Sequence, residues 1–203
     1  MSIKSLSIFY RADNIKAQKW SNKILIWLKK NYPEILFDSK KPEALIALGG
    51  DGTILEAAKK YQKIHPVLVG FNLGSVGFLA SARREDQFLP TLEKLIKGQF
   101  QTTKRMLIKV GVERNGEKVF FAQAFNEVTI QNLLGMVELE VMINEHPFQY
   151  VRGSGVLVST ATGSTAYNLS AHGPVVMPDI KCLVITELLD HNTPTPSLVV
   201  KRN

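Results

Sequence analysis

A short apolar run that stops at two glycines constrains the fold more than any other feature of this 203-residue sequence. Residues 44–48 read Ala-Leu-Ile-Ala-Leu, and Gly49 and Gly50 follow directly. An apolar run of this length bounded by glycine is typical of a strand buried on both faces, as in a parallel sheet covered by helices. We therefore expect an α/β arrangement around this strand.

The rest of the first hundred residues alternates strand-like and helix-like segments. The predicted elements are a strand at 6–10, a helix from 15 to 28, a helix at 54–64, a strand at 66–71 and a helix at 85–97 that closes at Gly98. This order predicts an α/β domain with a mostly parallel sheet over residues 1–100.

After Gly98 the pattern changes to paired extended segments. Residues 106–112 and 118–124 flank an Asn115-Gly116 pair, which is a strong hairpin signal. A second predicted hairpin joins 137–143 to 148–151, and a further strand covers 156–159 before a helix at 164–171. Residues 101–203 are therefore predicted to form a β-rich, antiparallel domain.

Charge and hydropathy narrow the class of protein. The net charge of +7 favours anionic partners, although the basic residues are scattered rather than clustered. No run of residues is apolar for long enough to span a bilayer, and the N-terminus lacks the apolar core of a signal peptide. With a single cysteine, Cys182, which we expect to be a small buried residue, these features predict a cytoplasmic protein.

The loop after the buried strand is the first candidate site. It reads Gly49-Gly50-Asp51-Gly52-Thr53 and is predicted to open a helix, whose free N–H groups favour phosphate. A carboxylate repels phosphate, so Asp51 needs another task, either a metal contact or the removal of a proton from a hydroxyl. The alternative is purely structural, with Asp51-Gly52 as a tight turn and Thr53 capping the helix.

Three more segments carry polar or glycine residues in unusual density. Residues 70–79 contain three glycines after a strand, and Phe78 there is either core or a ring platform. Asn126 and Glu127 interrupt an apolar strand, where they suit vicinal sugar hydroxyls or an exposed sheet edge. Residues 159–170 carry seven hydroxyl side chains, more than helix capping needs, and so favour recognition of a polar ligand.

These four segments, in this order and spacing, resemble the NAD kinase family over residues 1–187. The family's signatures are GGDGT, an NLGxxGFL-like loop, an Asn-Glu or Asn-Asp pair and a GSTAY stretch. GGDGT alone also occurs in diacylglycerol and sphingosine kinases, whereas GGDGT followed by NLGSVGFLA, FNEV and STATGSTAYNLS is highly specific.

The resemblance implies an N-terminal α/β domain joined to a C-terminal β-sandwich, with NAD bound between them. It implies transfer of a phosphoryl group from ATP, or from inorganic polyphosphate, to the 2′-hydroxyl of the adenosine ribose of NAD. A divalent metal, expected to be Mg²⁺, would assist. The family also implies a homodimer or homotetramer, and we expect neither a nucleic-acid nor a membrane partner.

The resemblance further assigns roles to individual residues. Asp51 takes the position of the catalytic base. The phosphate-donor loop comprises Gly49, Gly50, Gly52 and Thr53. The implied NAD-binding residues are Asp51, Gly52, Phe78, Asn126, Glu127, Arg152, Ser154, Thr165, Ala166, Tyr167, Asn168, Leu169 and Ser170.

Departures from the family pattern leave alternatives open. Many relatives carry Asp where this chain has Ser154, and the stretch after Glu127 lacks a basic residue that relatives often place there. The family pattern also continues for several strands beyond residues 183–186, so we expect a shortened β domain. A catalytically impaired, NAD-binding regulatory protein and a diacylglycerol-type lipid kinase are the alternative functions.

Overall fold

The computed structural model describes residues 2–37, 40–74, 77–190 and 196–202. The chain divides into two compact units, Met1–Thr102 and Thr103–Asn203, and each is described on its own below. No helix among the described residues is long and apolar enough to cross a membrane.

The first unit is built on a parallel sheet of four strands in the order β2-β1-β3-β4. The strands are β1 (Ser5–Phe9), β2 (Leu36–Phe37), β3 (Ala44–Gly49) and β4 (Val67–Asn72). The helices are α1 (Ile15–Asn31), α2 (Asp51–Lys60) and α3 (Phe88–Ile96), with a 3-10 turn at Glu85–Gln87 before α3. The predicted parallel α/β arrangement is confirmed, and β2 is a short strand that its sequence did not reveal.

The apolar run of β3 is the centre of this unit, since every residue from Ala44 to Gly49 is buried. Ile46 and Leu48 face a core that contains the stacked rings of Phe71 and Phe88, whose centroids lie 4.6 Å apart. Leu45 and Ala47 face a smaller cluster that α2 covers. The strand is thus buried on both faces, as its sequence predicts.

Helix α2 begins and ends earlier than the predicted span of 54–64. It starts at Asp51 with Gly50 as N-cap, and a negative side chain in the first turn is favourable at the positive end of the helix dipole. Thr53 makes no cap hydrogen bond, so the capping role given to it in the structural alternative is wrong. The helix ends at Lys60 with Tyr61 as C-cap, and His65, with φ 53°, then precedes Pro66 at the entry to β4.

The second unit is antiparallel. Its strands are β5 (Ile108–Arg114), β6 (Glu117–Ala124), β7 (Glu127–Gln131), β8 (Val137–Ile143), β9 (His146–Thr160), β10 (Cys182–Asp190) and β11 (Leu198–Lys201). One sheet has the order β11-β10-β9-β7, with β8 also on β9, while β5 and β6 pair alone. A 3-10 turn at Gly163–Thr165 leads into the short helix α4 (Tyr167–Ser170).

Two tight turns fix the hairpins. Asn115 and Gly116 have φ of 52° and 80°, which confirms the predicted Asn-Gly turn. Asn144 and Glu145 also have positive φ, so the second turn is tighter than expected and β9 begins at His146. The segments predicted separately at 148–151 and 156–159 are one continuous strand of 15 residues.

The structure has more strand near the C-terminus than the sequence predicted. Residues 183–186 lie within the longer β10, and β11 pairs with β10 from Leu198 onward. Cys182 is buried at the start of β10, as expected for a small apolar residue.

Candidate functional site

The predicted site residues form two clusters, one in each unit, and the first is centred on Asp51. The Asp51 carboxylate accepts a hydrogen bond on Oδ2 from the backbone N–H of Phe78 at 2.8 Å. Its Oδ1 accepts from the backbone N–H of Leu79 at 3.2 Å. Both oxygens are therefore held from the second glycine-containing loop while the residue itself opens α2.

The glycines around Asp51 differ in their structural roles. A Cβ on Gly49 would lie 2.4 Å from Oγ1 of Thr53, so this glycine is needed for packing against a buried threonine. A Cβ on Gly50 or Gly52 would meet nothing within 4 Å. These two positions leave open space beside the N–H groups of the first helical turn, which is what an approaching phosphate needs.

The second loop of this unit is tied to β4. Asn72 is buried and its Oδ1 accepts a hydrogen bond from the N–H of Gly74 at 2.9 Å. The N–H of Leu73 donates to the carbonyl of Gly49 at 3.3 Å, which joins this loop to the Asp51 loop. The Phe78 side chain is 58% exposed, so its ring is available as a surface rather than used as core.

Glu127 is the central acid of the second cluster. It opens the edge strand β7 and is half-buried, and one of its oxygens, Oε2, is buried without a hydrogen-bond partner in the described structure. Burial raises the pKa of this carboxyl, and a hydrogen bond from the backbone N–H of Tyr167 offsets part of that rise. An acid that lacks a partner for one oxygen can accept a hydrogen bond from a ligand hydroxyl.

The backbone of Asn126 anchors this acid. Its carbonyl accepts from the N–H of Thr160 at 2.8 Å and from the Ser159 hydroxyl at 3.3 Å. A Cβ on Gly163 would lie 2.3 Å from the same carbonyl oxygen, so the turn before α4 must approach β7 through a glycine. The start of β7 is thus fixed from two sides.

The hydroxyl-rich stretch is more structural than its sequence suggests. The hydroxyls of Thr160 and Ser164 donate to the carbonyls of Phe125 and Ala161, at 2.9 and 2.7 Å. Together with Ser159, these buried side chains satisfy carbonyl groups of a tight turn, which corrects the expectation that the whole surplus faces a ligand.

The side chains around helix α4 differ in their exposure. Thr165 and Ala166 are half-buried, and Tyr167, Leu169 and Ser170 are exposed. Asn168 has no exposed surface: its Nδ2 donates to the carbonyls of Ser164 and Pro174, and its Oδ1 accepts from Thr186. The side chain of Asn168 is thus committed to the scaffold in this structure.

Arg152 and Ser154 are not brought to Glu127. Both lie on β9, and the register Glu127↔Ser159 to Gln131↔Gly155 places residues 152 and 154 beyond the end of β7 and on the opposite face of the sheet from Glu127. Arg152 is exposed, with its Nε 3.5 Å from Glu138. An exposed pair of this length contributes little to stability.

Arg105 is a residue that the sequence analysis missed. Its Nη1 donates to the hydroxyl of Thr162 at 3.4 Å, within the hydroxyl-rich turn. It is half-buried, and no carboxylate of the described residues lies within ion-pair distance of it. The basic pair at 104–105, directly before the first hairpin of this unit, was the available signal.

The side chains offer few protein ligands for a metal. Among the described residues, no group of three or more His, Cys, Asp or Glu side chains could hold an ion. Mg²⁺ fits such a site when it is carried mainly by substrate phosphates and needs only one or two protein carboxylates. Asp51 lies between the two open glycines in sequence, at the start of α2.

Comparison with known proteins gives the family. A sequence model described as the ATP-NAD kinase N-terminal domain matches residues 35–100, and one described as the ATP-NAD kinase C-terminal domain matches residues 125–203. An NAD kinase from Geobacter sulfurreducens is 31% identical over 98% of this chain and 77% of its own length. One from Nitrosomonas europaea is 37% identical over 83% of this chain and 58% of its own length.

Solved structures agree on the fold. Yeast NADH kinase complexed with NADH superposes with a TM-score of 0.87 at 20% identity, covering 99% of this chain and 70% of the yeast chain. An NAD kinase from Archaeoglobus fulgidus in complex with ATP gives a TM-score of 0.77 at 23% identity, covering 97% and 77%. The predicted fold class is confirmed, and the two sequence models and the relatives together show that the chain belongs to the NAD kinase family.

Proposed function

We propose that this chain transfers the γ-phosphoryl group of ATP to the 2′-hydroxyl of the adenosine ribose of NAD, releasing ADP and NADP. The observation that carries the proposal is the position of the Asp51 carboxylate at the start of α2. Two backbone N–H groups of the second loop hold this carboxylate, and Gly50 and Gly52 on either side of it leave open space. Family membership supplies the substrates, because the matching sequence models and relatives are NAD kinases.

The proton transfer falls to Asp51. The ribose oxygen forms a bond to the γ-phosphorus, the bond from that phosphorus to the β,γ-bridging oxygen breaks, and the hydroxyl proton passes to the Asp51 carboxylate. Each Asp51 oxygen has one lone pair engaged by a backbone N–H, which leaves acceptor capacity for the hydroxyl. Such a reaction depends mainly on positioning and charge stabilisation.

Glu127 and Asn126 are the proposed ribose-binding pair. The buried oxygen of Glu127 that lacks a partner supports this role, since a ribose hydroxyl would supply the missing donor. The remaining parts of NAD would contact side chains that are at least partly exposed, namely Phe78, Thr165, Ala166, Tyr167, Leu169 and Ser170. Asn168 contributes by holding α4 in place rather than through its own side chain.

Each unit offers one group of donors for phosphate. The first-turn N–H groups next to Gly50 and Gly52 suit the donor phosphates, and the half-buried Arg105 suits a phosphate of NAD. Mg²⁺ would be held mainly by the donor phosphates and would neutralise part of their charge, while Asp51 takes the proton. Inorganic polyphosphate offers the same chemistry as ATP at this position.

A second copy of the chain is part of the proposal. Arg152 and Ser154 are NAD-contacting positions by family pattern, yet they lie on the sheet face opposite to Glu127. In a homodimer or homotetramer, these residues could serve the neighbouring copy's site. Sedimentation of the protein with and without NAD tests this, and a monomer under both conditions contradicts it.

The activity is tested by NADP formation. Purified protein with NAD, MgCl₂ and ATP should produce NADP, which an NADP-specific dehydrogenase reports. Parallel reactions replace ATP by polyphosphate, NAD by NADH, and NAD by diacylglycerol, and a further one adds EDTA. Calorimetric binding of NAD without turnover would instead support the regulatory alternative, and phosphorylation of diacylglycerol alone would overturn the proposal.

A further inference from the structure

We propose that the backbone of residues 77–79 is a clamp that orients the Asp51 carboxylate for proton transfer, and that Gly77 is its positioning residue. The inference rests on the proposed role of Asp51 as base. The clamp consists of the N–H groups of Phe78 and Leu79, together with the space beside Gly77, where any other residue would place a Cβ. In the proposed mechanism these groups contact Asp51 and neither NAD nor ATP.

Two donors on two different oxygens fix a carboxylate in a way that one donor does not. The N–H of Phe78 reaches Oδ2 at 2.8 Å and the N–H of Leu79 reaches Oδ1 at 3.2 Å. A single hydrogen bond would allow the group to rotate about its Cβ–Cγ bond, whereas the pair holds both oxygens. The clamp therefore determines which lone pairs of Asp51 face an approaching hydroxyl.

Gly77 lies directly against this carboxylate. A Cβ built on Gly77 would be 2.7 Å from Oδ1 and 3.4 Å from Cγ of Asp51, and 3.5 Å from Nδ2 of Asn72. The first distance is shorter than a non-bonded contact allows, so a methyl group here must displace either the carboxylate or the loop. Asn72 is buried and hydrogen-bonded to the N–H of Gly74, which limits movement of the loop on that side.

Space, and not conformational freedom, is what requires glycine at this position. Gly77 does not have a left-handed φ, so an alanine here would not meet the backbone strain of that region. The main effect of Gly77→Ala is therefore expected at the contact with Asp51. Gly74 gives a matched control in the same loop, because its Cβ would make only an ordinary 3.4 Å contact with Oδ1 of Asn72.

Steady-state kinetics of Gly77→Ala and Gly74→Ala provide the first test. Displacing a base by about 1 Å costs roughly 100-fold in rate, so kcat of Gly77→Ala should fall by about 10- to 100-fold, with KM for NAD and ATP within about threefold of the parent. Gly74→Ala should keep its kcat. Equal kcat values in the two variants would overturn the clamp.

Amide hydrogen exchange provides a test that does not depend on turnover. In the parent protein the Phe78 and Leu79 amides should be protected, and Asp51→Ala should accelerate exchange at both by at least about tenfold, the factor that corresponds to a hydrogen bond of about 1.4 kcal/mol. Unchanged exchange at both amides would overturn the clamp. If the exchange responds but the parent makes no NADP, the proposed function fails and the contact stands.

Discussion

The hydroxyl of Thr186 donates a 2.8 Å hydrogen bond to Oδ1 of Asn168, and both side chains are buried. Thr186 lies on β10 and Asn168 on α4, so this bond ties the short helix to the sheet. The N–H of Tyr167, the residue before Asn168, is the one that contacts the Glu127 carboxylate. The geometry of the second cluster thus depends on a residue outside it.

Replacing this hydroxyl should destabilise the second unit and weaken NAD binding. Thr186→Val conserves shape but leaves Oδ1 of Asn168 without its donor, which costs about 1–3 kcal/mol in the free energy of unfolding. Urea denaturation measures the loss, and KM for NAD should rise while kcat changes less. Thr129→Val, on β7, is the control because its hydroxyl makes no described hydrogen bond, and an equal effect of both variants would contradict the account.

Glu127 should make stability depend on pH in a defined direction. Its pKa is raised in the folded protein, mainly by burial, so the folded state binds the proton more tightly than the unfolded state. Stability should therefore fall as pH rises from the ordinary glutamate value of 4.5 through the folded pKa. Glu127→Gln should raise the thermal midpoint at pH 7 and leave it nearly unchanged at pH 4.

The same substitution should weaken NAD binding, since the ribose loses a charged acceptor. Glu140→Gln, at an exposed position of β8, is the matched control and should alter neither the midpoint nor the Kd for NAD. A Glu127→Gln variant that is less stable at pH 7 and binds NAD as well as the parent would show that the acid is structural.

Arg105 should bind a phosphate. Arg105→Met keeps much of the side-chain volume and removes the charge, and a hydrogen bond to a charged group is worth about 1.5–3 kcal/mol. The Kd for NAD should rise by about 10- to 100-fold, while binding of adenosine, which has no phosphate, should not change. Lys104→Met is the adjacent control, and an equal loss of NAD and adenosine binding would contradict a phosphate contact.

Phe88 should be essential for the first unit. Its ring stacks on Phe71 with centroids 4.6 Å apart and meets the edge of Trp20 at 4.9 Å. Phe88→Ala should lower the free energy of unfolding by about 3–5 kcal/mol. Phe37→Ala, at a ring that is half exposed, should cost far less, and chemical denaturation of the two variants measures the difference.

The sequence predicted the parts of the fold that depend on local pattern. The double-sided burial of β3 and the Asn115-Gly116 turn both follow from residue types next to each other in the chain. Strand β2 is only two exposed residues and has no pattern to detect. The continuity of β9 was hidden because Gly153 and Gly155 interrupt its apolar pattern, although Gly155 is needed there: a Cβ would lie 2.1 Å from the carbonyl oxygen of Ile130.

Some residues of the candidate site could likewise be predicted from the sequence, and others could not. Asp51 and Glu127 were identifiable because an acid is unusual in a phosphate loop or an apolar strand. The internal hydrogen bonds of Ser164 and Asn168 could not be predicted from the sequence, since hydroxyl and amide side chains suit a ligand and a backbone carbonyl equally well. Arg105 was overlooked because its partner Thr162 is 57 residues away in sequence.

The central claim is that Asp51 is the base that activates the ribose hydroxyl. Its most direct test compares NADP formation by the parent and by Asp51→Asn, with NAD and MgATP saturating and with NAD binding measured by calorimetry. The account predicts a fall in kcat of about 10²- to 10⁴-fold with the Kd for NAD changed by only a few fold. The exposed control Asp86→Asn should keep its activity. Full activity of Asp51→Asn would contradict the account.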